Sequence, residues 1–156
     1  MSHKPKDRIK RQLDQAAEAC VVNGGKLTDI RRSVLALVIG AGGPVGAYAL
    51  LDQLKAERAN AAPVTVYRAL DFLMENGLIH KIERLNAFVA CTEHGDHEHH
   101  EHSVQFLICR TCGTVAEMED HGIAAAVSTA AGKTGFRLDH ATVEVEGTCG
   151  TCASTA

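Results

Sequence analysis

Tryptophan is missing from this 156-residue chain, and four phenylalanines and two tyrosines are its only aromatic residues. Its cores must therefore be assembled from Ala, Val, Leu and Ile, without the large apolar area that aromatic rings supply. No uninterrupted apolar stretch approaches the ~20 residues that a membrane helix requires. The opening Met1-Ser2-His3-Lys4-Pro5-Lys6-Asp7-Arg8 is charged and is not followed by the apolar segment of a secretory signal. A cytoplasmic protein is expected on that basis.

Basic residues are scarce in the second half. Residues 91–156 hold 3 Lys and Arg against 10 Asp and Glu, and carry seven of the nine histidines. Residues 1–90 hold 13 Lys and Arg against 9 Asp and Glu. A net charge of −3 thus hides a basic half joined to an acidic, His- and Cys-rich half. Such asymmetry suggests two modules, one suited to a polyanion and the other to cations.

What the second half does contain is two Cys-x-x-Cys pairs, Cys109-Arg110-Thr111-Cys112 and Cys149-Gly150-Thr151-Cys152. Two intervening residues let both thiolates of a pair reach one ion from a tight knuckle turn, and two pairs complete the tetrahedral shell of a structural zinc site. Two disulfides or four unrelated buried thiols are the other readings. A reducing cytosol favours zinc over disulfides.

The first half reads as helices. Ile9, Leu13, Ala16, Ala17, Cys20 and Val21 recur at helical spacing and stop at Asn23-Gly24-Gly25. Thr28 is placed to cap a second helix carrying Ile30, Val34, Leu35 and Val38, which ends at Gly40-Ala41-Gly42-Gly43-Pro44. A third helix is predicted from about Ala47 to Arg58. A fourth follows Pro63, with Val66, Leu70, Leu73 and Met74 as its apolar stripe and Gly77 as its C-cap. The period then falls to two: Leu78–Arg84 and Ala87–Cys91 read as a two-stranded ribbon. Helices ending in a short hairpin outline a winged helix-turn-helix, in which the helix before the wing enters the major groove.

Residues 92–102 are polar and read as a His-rich loop or hinge between a module at 1–91 and another at 103–156. In the second module Val104–Cys109 and Thr114–Met118 are predicted strands, Gly122–Lys133 an Ala-rich helix and His140–Glu146 a further strand. So small a core needs help, and both a metal and a partner subunit are expected to supply folding free energy. The fold class is α+β, a winged helix-turn-helix domain followed by a small α/β dimerisation domain with a four-cysteine zinc site.

The segment Pro63-Val64-Thr65-Val66-Tyr67-Arg68-Ala69-Leu70-Asp71-Phe72-Leu73 resembles the recognition-helix signature of the Fur family of metal-responsive repressors. Cys109-x-x-Cys112-Gly113 with Val115 and Glu117 fits the same family, as does Leu27-Thr28-x-x-Arg31, although the usual Pro after that Thr is here Asp29. The likeness runs in order from about residue 8 to 152. Within the family it is strongest to the zinc-uptake-regulator branch, through Ala69–Leu73, His80-Lys81, Cys91 and the second Cys-x-x-Cys.

The resemblance implies a homodimeric repressor of double-stranded DNA, with an AT-rich inverted repeat as operator. Near the start of a helix in the groove, Tyr67 can meet a thymine methyl or a phosphate, Arg68 a guanine or the DNA backbone, and Thr65 a phosphate. Arg31 is a weaker candidate for a phosphate. The resemblance also implies a regulatory zinc site of His80, Cys91, His102 and Glu117. A thiolate in that set favours Zn²⁺ over Fe²⁺ or Mn²⁺. A third site would draw on His99, His100, Glu101 and His140.

Other function classes fit less well. Zinc deaminases carry a Pro before Cys-x-x-Cys and an open coordination position, and neither pair here follows a Pro. His-Glu-x-x-His is also absent, so no enzyme is expected. A cytosolic zinc store could use the His run but has no need of Tyr67-Arg68 before a wing. Iron- and peroxide-responsive relatives are the nearer alternative, and Cys91 as a ligand argues against both.

Overall fold

The computed structural model describes residues 5–91 and 103–155. They form two compact units, 5–91 in one and 103–155 in the other. The predicted His-rich hinge at 92–102 lies outside the described residues.

The first unit opens with four helices, α1 (Pro5–Val22), α2 (Asp29–Ala41), α3 (Ala47–Glu57) and α4 (Pro63–Glu75). Their starts and stops follow local chemistry. Thr28 precedes α2 with extended backbone, and its carbonyl accepts the Arg32 N–H at 2.8 Å. Pro63 occupies the first turn of α4, where its missing N–H costs nothing. Gly77 closes α4 at φ +66°, a left-handed conformation that glycine adopts without a Cβ clash. The Leu78 N–H then reaches back to the Leu73 carbonyl at 2.9 Å, the six-to-one bond of a Schellman ending.

That ending aims the chain into the hairpin β1 (Ile79–Ile82) and β2 (Ala87–Ala90), paired antiparallel with His80 opposite Val89. The strands are shorter than the predicted Leu78–Arg84. Residues Glu83–Leu85 tighten into a 3-10 turn and Asn86 reverses the chain at φ 47°. Val45 adds a rung to the wing through paired backbone bonds with Phe88 of 3.0 and 2.8 Å. Val34, Leu35, Leu50, Leu54, Leu70 and Leu73 are fully buried at the centre. Each contributes about 1.5–3 kcal/mol by leaving water, so the α2, α3 and α4 stripes act as one core.

The second unit holds β3 (Ser103–Cys109), β4 (Val115–Met118), α5 (His121–Lys133), β5 (Ala141–Gly147) and α6 (Gly150–Ser154). Its sheet runs β4-β3-β5, with β3–β4 antiparallel and β3–β5 parallel. A parallel pair needs a long crossover, and α5 supplies it. Asp120 fixes where α5 begins, its Oδ1 accepting the Ile123 N–H at 3.0 Å. The helix therefore starts at His121 rather than at Gly122, and the last strand is Ala141–Gly147 rather than 140–146. The buried Gln105 ties β3 to the same corner, donating from Nε2 to the Asp120 carbonyl at 3.0 Å.

Among the described residues of this unit only Gln105, Phe106, Ile108 and Cys109 are buried. A core so thin matches the expectation of outside help. No helix among the described residues is long and apolar enough to cross a membrane.

Candidate metal centres and nucleic-acid interface

Cys109 ends β3, and the next residues turn back at once. Gly113 takes φ +75°, its N–H bonds the Cys109 carbonyl at 2.9 Å, and the Cys109 N–H bonds the Thr114 carbonyl at 2.9 Å. This is the expected knuckle, and it presents Cys109 and Cys112 together. The second pair is built differently. Cys149 is the N-cap of α6 and Cys152 lies one turn along it, with the Ala153 N–H on the Cys149 carbonyl at 2.9 Å. The spacing predicts two knuckles; the second pair instead uses a helical first turn, which equally places residues i and i+3 on one side.

Parallel pairing of β3 with β5 sets Cys109 opposite Gly147, and so delivers the second pair to the first. All four Sγ atoms lie within 4.8 Å of one another. Cys112 and Cys149 sulfurs are 3.8 Å apart, far beyond a ~2.05 Å disulfide bond and equal to the ~3.8 Å edge of a tetrahedron with ~2.3 Å zinc–sulfur arms. None of the six cysteines, all among the described residues, is in a disulfide.

The electrostatics of the cluster call for a cation. Backbone N–H groups of Cys149 and Cys112 push the Cys109 thiol down to about 6, and the Thr114 hydroxyl and N–H lower Cys112. Crowded by the Cys149 and Cys112 sulfurs, Cys152 is pushed up to about 12. Thiols gathered this closely cannot all shed their protons without a positive charge among them. The four sulfurs are a donor set that can hold zinc.

A second grouping sits on the wing. His80 is in β1, and Cys91 directly follows β2, its N–H donating to the Leu78 carbonyl at 3.0 Å. A ring nitrogen of His80 and the Cys91 sulfur come within 4.8 Å. Cys91 is buried and His80 half-buried. In the second unit Glu117 is half-buried on β4, opposite Phe106 of β3. His102, and with it His99, His100 and Glu101, lies outside the described residues. His140 lines a cavity of about 140 Å³ with Ser103, Ser128 and Asp139, its Nε2 3.1 Å from the Thr142 hydroxyl. Among the described residues no group of three metal-ligating side chains includes it.

Helix α4 divides cleanly. Val66, Ala69, Leu70 and Leu73 are buried, while Val64, Tyr67, Arg68 and Asp71 face solvent and Thr65 is half-buried. Tyr67 is 46% exposed and Val64 53%. An exposed Tyr-Arg pair on the helix before a wing offers one apolar-polar ring and one planar cation to a groove. Further cations stand on α1, where Lys6, Arg8, Lys10 and Arg11 are all exposed. Arg31 is half-buried, its Nη1 donating to the Lys26 carbonyl at 2.8 Å and its guanidinium 3.6 Å from the centroid of the Phe72 ring.

Two features escaped the pattern. Tyr48, in the first turn of α3, is 76% exposed, a large ring left in solvent beside residues that read as an ordinary core helix. Phe72 reads as part of a helical signature, yet its ring carries Arg31. Solvent exposure of an aromatic in a Trp-free chain is the signal for the first; nothing local signals the second.

Comparison with known proteins agrees with this geometry. The chain is 39% identical over 140 residues to the Zinc uptake regulation protein of Escherichia coli (strain K12), covering 90% of this chain and 80% of that one. It superposes on a solved zinc uptake regulator complexed with zinc and DNA with a TM-score of 0.86 and 37% identity, over 94% of this chain and 96% of that one. It matches holo XcZur with a TM-score of 0.81 and 45% identity, over 91% and 96% of the two chains. Residues 22–146 match the family model of the Ferric uptake regulator family, and on that match the chain belongs to this family.

Proposed function

We propose that this protein is a zinc-responsive DNA-binding repressor of zinc-uptake genes, working as a homodimer in the bacterial cytoplasm and carrying no enzymatic activity. The observation that carries the reading is the thiol–imidazole pair of Cys91 and His80 within 4.8 Å on the wing of the DNA-binding unit. A wing alone needs no buried thiol beside a histidine. A metal sensor does, and a thiolate selects zinc over iron or manganese. Relatives named for zinc uptake, one solved with zinc and DNA, support the same conclusion.

In this reading residues 1–91 are the DNA-binding module, 103–156 the dimerisation module and 92–102 the joint. Cys109, Cys112, Cys149 and Cys152 hold a structural zinc. His80 and Cys91 of the first module share the regulatory ion with His102, the last residue of the joint, and Glu117 of the second module. Once filled, that site supplies a four-coordinate cross-link favouring one pose of the joint. Tyr67 and Arg68 of two subunits must then stand ~34 Å apart to enter successive major-groove faces of an inverted repeat. A coupling of about 1–3 kcal/mol between ion and DNA changes operator affinity by about 5–150-fold, and DNA raises zinc affinity by the same factor. Thr65 and Arg68 supply phosphate and base contacts.

The experiment is operator binding against buffered free zinc, with His80, Cys91, His102 and Glu117 replaced one at a time. Each variant should bind DNA weakly at every zinc level while remaining dimeric. Zinc-independent tight binding by the unaltered protein, or equal performance with iron, contradicts the proposal.

A further inference from the structure

Arg31 invites assignment as a phosphate contact, but its surroundings point elsewhere. The guanidinium lies over Phe72, 3.6 Å from the ring centroid, and Nη1 is committed to the Lys26 carbonyl at 2.8 Å. Phe72 is held from another side too. A Cβ placed on Gly25 would lie 3.2 and 3.3 Å from two carbons of its ring, so the Gly25 backbone presses against that edge. A short way along, Asn23 Nδ2 approaches Asn76 Oδ1 at 3.4 Å, and Asn76 Nδ2 donates to the Phe72 carbonyl at 2.9 Å. Together these contacts bind the loop between α1 and α2, with the start of α2, onto the C-terminal half of α4.

Phe72 lies one turn beyond Arg68, so its lateral position sets how Tyr67 and Arg68 are presented. The hydrophobic stripe of Val66, Ala69, Leu70 and Leu73 holds α4 on its inner side. The Arg31–Phe72 stack restrains the same helix from its flank. We infer that Arg31 is a positioning residue: it clamps α4 through Phe72 and fixes the presentation of Arg68, rather than neutralising a DNA phosphate.

The two roles make opposite demands on chemistry. A phosphate needs only a positive charge, which lysine keeps. A ring face and a carbonyl served at once need the planar, multi-donor guanidinium. The inference rests on the DNA-binding reading above, and the unaltered protein serves as its control.

The test measures zinc-loaded dimers of R31Q, R31K and F72L against the operator and against an operator altered at the base pair whose preference Arg68→Ala relaxes, over a salt series. Thermal melts establish that each variant is folded, and F72L keeps most of the apolar volume in case R31Q does not fold. Loss of the stack should weaken operator binding by about 3- to 30-fold in all three. R31K should not rescue, the salt slope should stay that of the unaltered protein, and discrimination against the altered operator should shrink. The R31Q/F72L double variant should lose little beyond the worse single one. Recovery in R31K, a salt slope reduced by about one in R31Q, or undiminished binding by R31Q would each overturn the inference. Failure of the unaltered protein to bind operator would instead remove the functional reading beneath it.

Discussion

The backbone N–H of Cys149 points at the Cys109 sulfur from 3.3 Å, across 40 residues of sequence. That one bond joins the two Cys-x-x-Cys pairs before any ion is considered, and it polarises one thiol toward thiolate. It also makes the fold of the second unit and its metal site a single object, because the parallel partnership of β3 and β5 is what puts the two residues together.

Replacing Cys112 with Ser should therefore do more than remove a ligand. Three sulfurs hold zinc far less well than four, and the buried remainder of the unit is small. Expected outcomes are loss of one zinc per chain by elemental analysis and a monomeric or aggregated species in sedimentation. A stable dimer of full metal content would refute the structural assignment.

Cys91→Ser should behave in the opposite way. Cys91 is buried but peripheral to the leucine core, so a hydroxyl there costs roughly 1–3 kcal/mol and leaves a folded dimer. Gel shifts should then respond to zinc no more than at background. The contrast between the two Cys variants, one losing its assembly and the other its response, is the measurement of interest.

Arg68→Ala should lower operator affinity by about 5–150-fold, the equivalent of a lost bidentate base contact at ~1–3 kcal/mol. Base preference at the position Arg68 contacts should relax at the same time. Tyr67→Phe, which keeps the ring, should retain more affinity than Tyr67→Ala if the contact is with a thymine methyl. Fluorescence anisotropy on operators varied one base at a time separates these outcomes.

Titration of the metal-free protein has a definite sign. Cys109 is held down to about 6 from 9.0, so its contribution is present above the unfolded value and is lost as pH falls through about 6. Cys152 is held up to about 12 from 9.0, so its contribution is present below 9 and is lost as pH climbs toward 12. Protection of β3 and β5 from hydrogen exchange, under chelator and reductant, should rise between pH 6 and 9 and decline above that. Zinc affinity should rise with pH over the same interval, because seating the ion expels the Cys152 proton.

Much of this was legible in the residues. The helix stripes of Leu50, Leu51, Leu54 and of Val66, Leu70, Leu73 lie where their spacing puts them, and Gly77 ends α4 as its position predicts. The fourfold cysteine cluster also follows from spacing, since two residues between thiols restrict each pair to one side of a turn. What local pattern does not encode is partnership at a distance. The parallel pairing of β3 with β5 is specified by the path of α5, not by either strand alone, and the short helix α6 was hidden because Gly150-Thr151 reads as turn. Arg31 illustrates the same limit: an exposed-looking cation in sequence becomes a stacked one only when α4 arrives beside it.

Chain order gives the cysteine cluster a consequence for biogenesis. Cys109 and Cys112 emerge from the ribosome well before α5 and β5, and their two partners come after both. A half-made polypeptide can thus offer only two of the four thiols. Secure capture must wait for strand docking to close a loop of about 40 residues. On the structural-zinc reading proposed above, a chain truncated before Cys149 should fail to retain that ion.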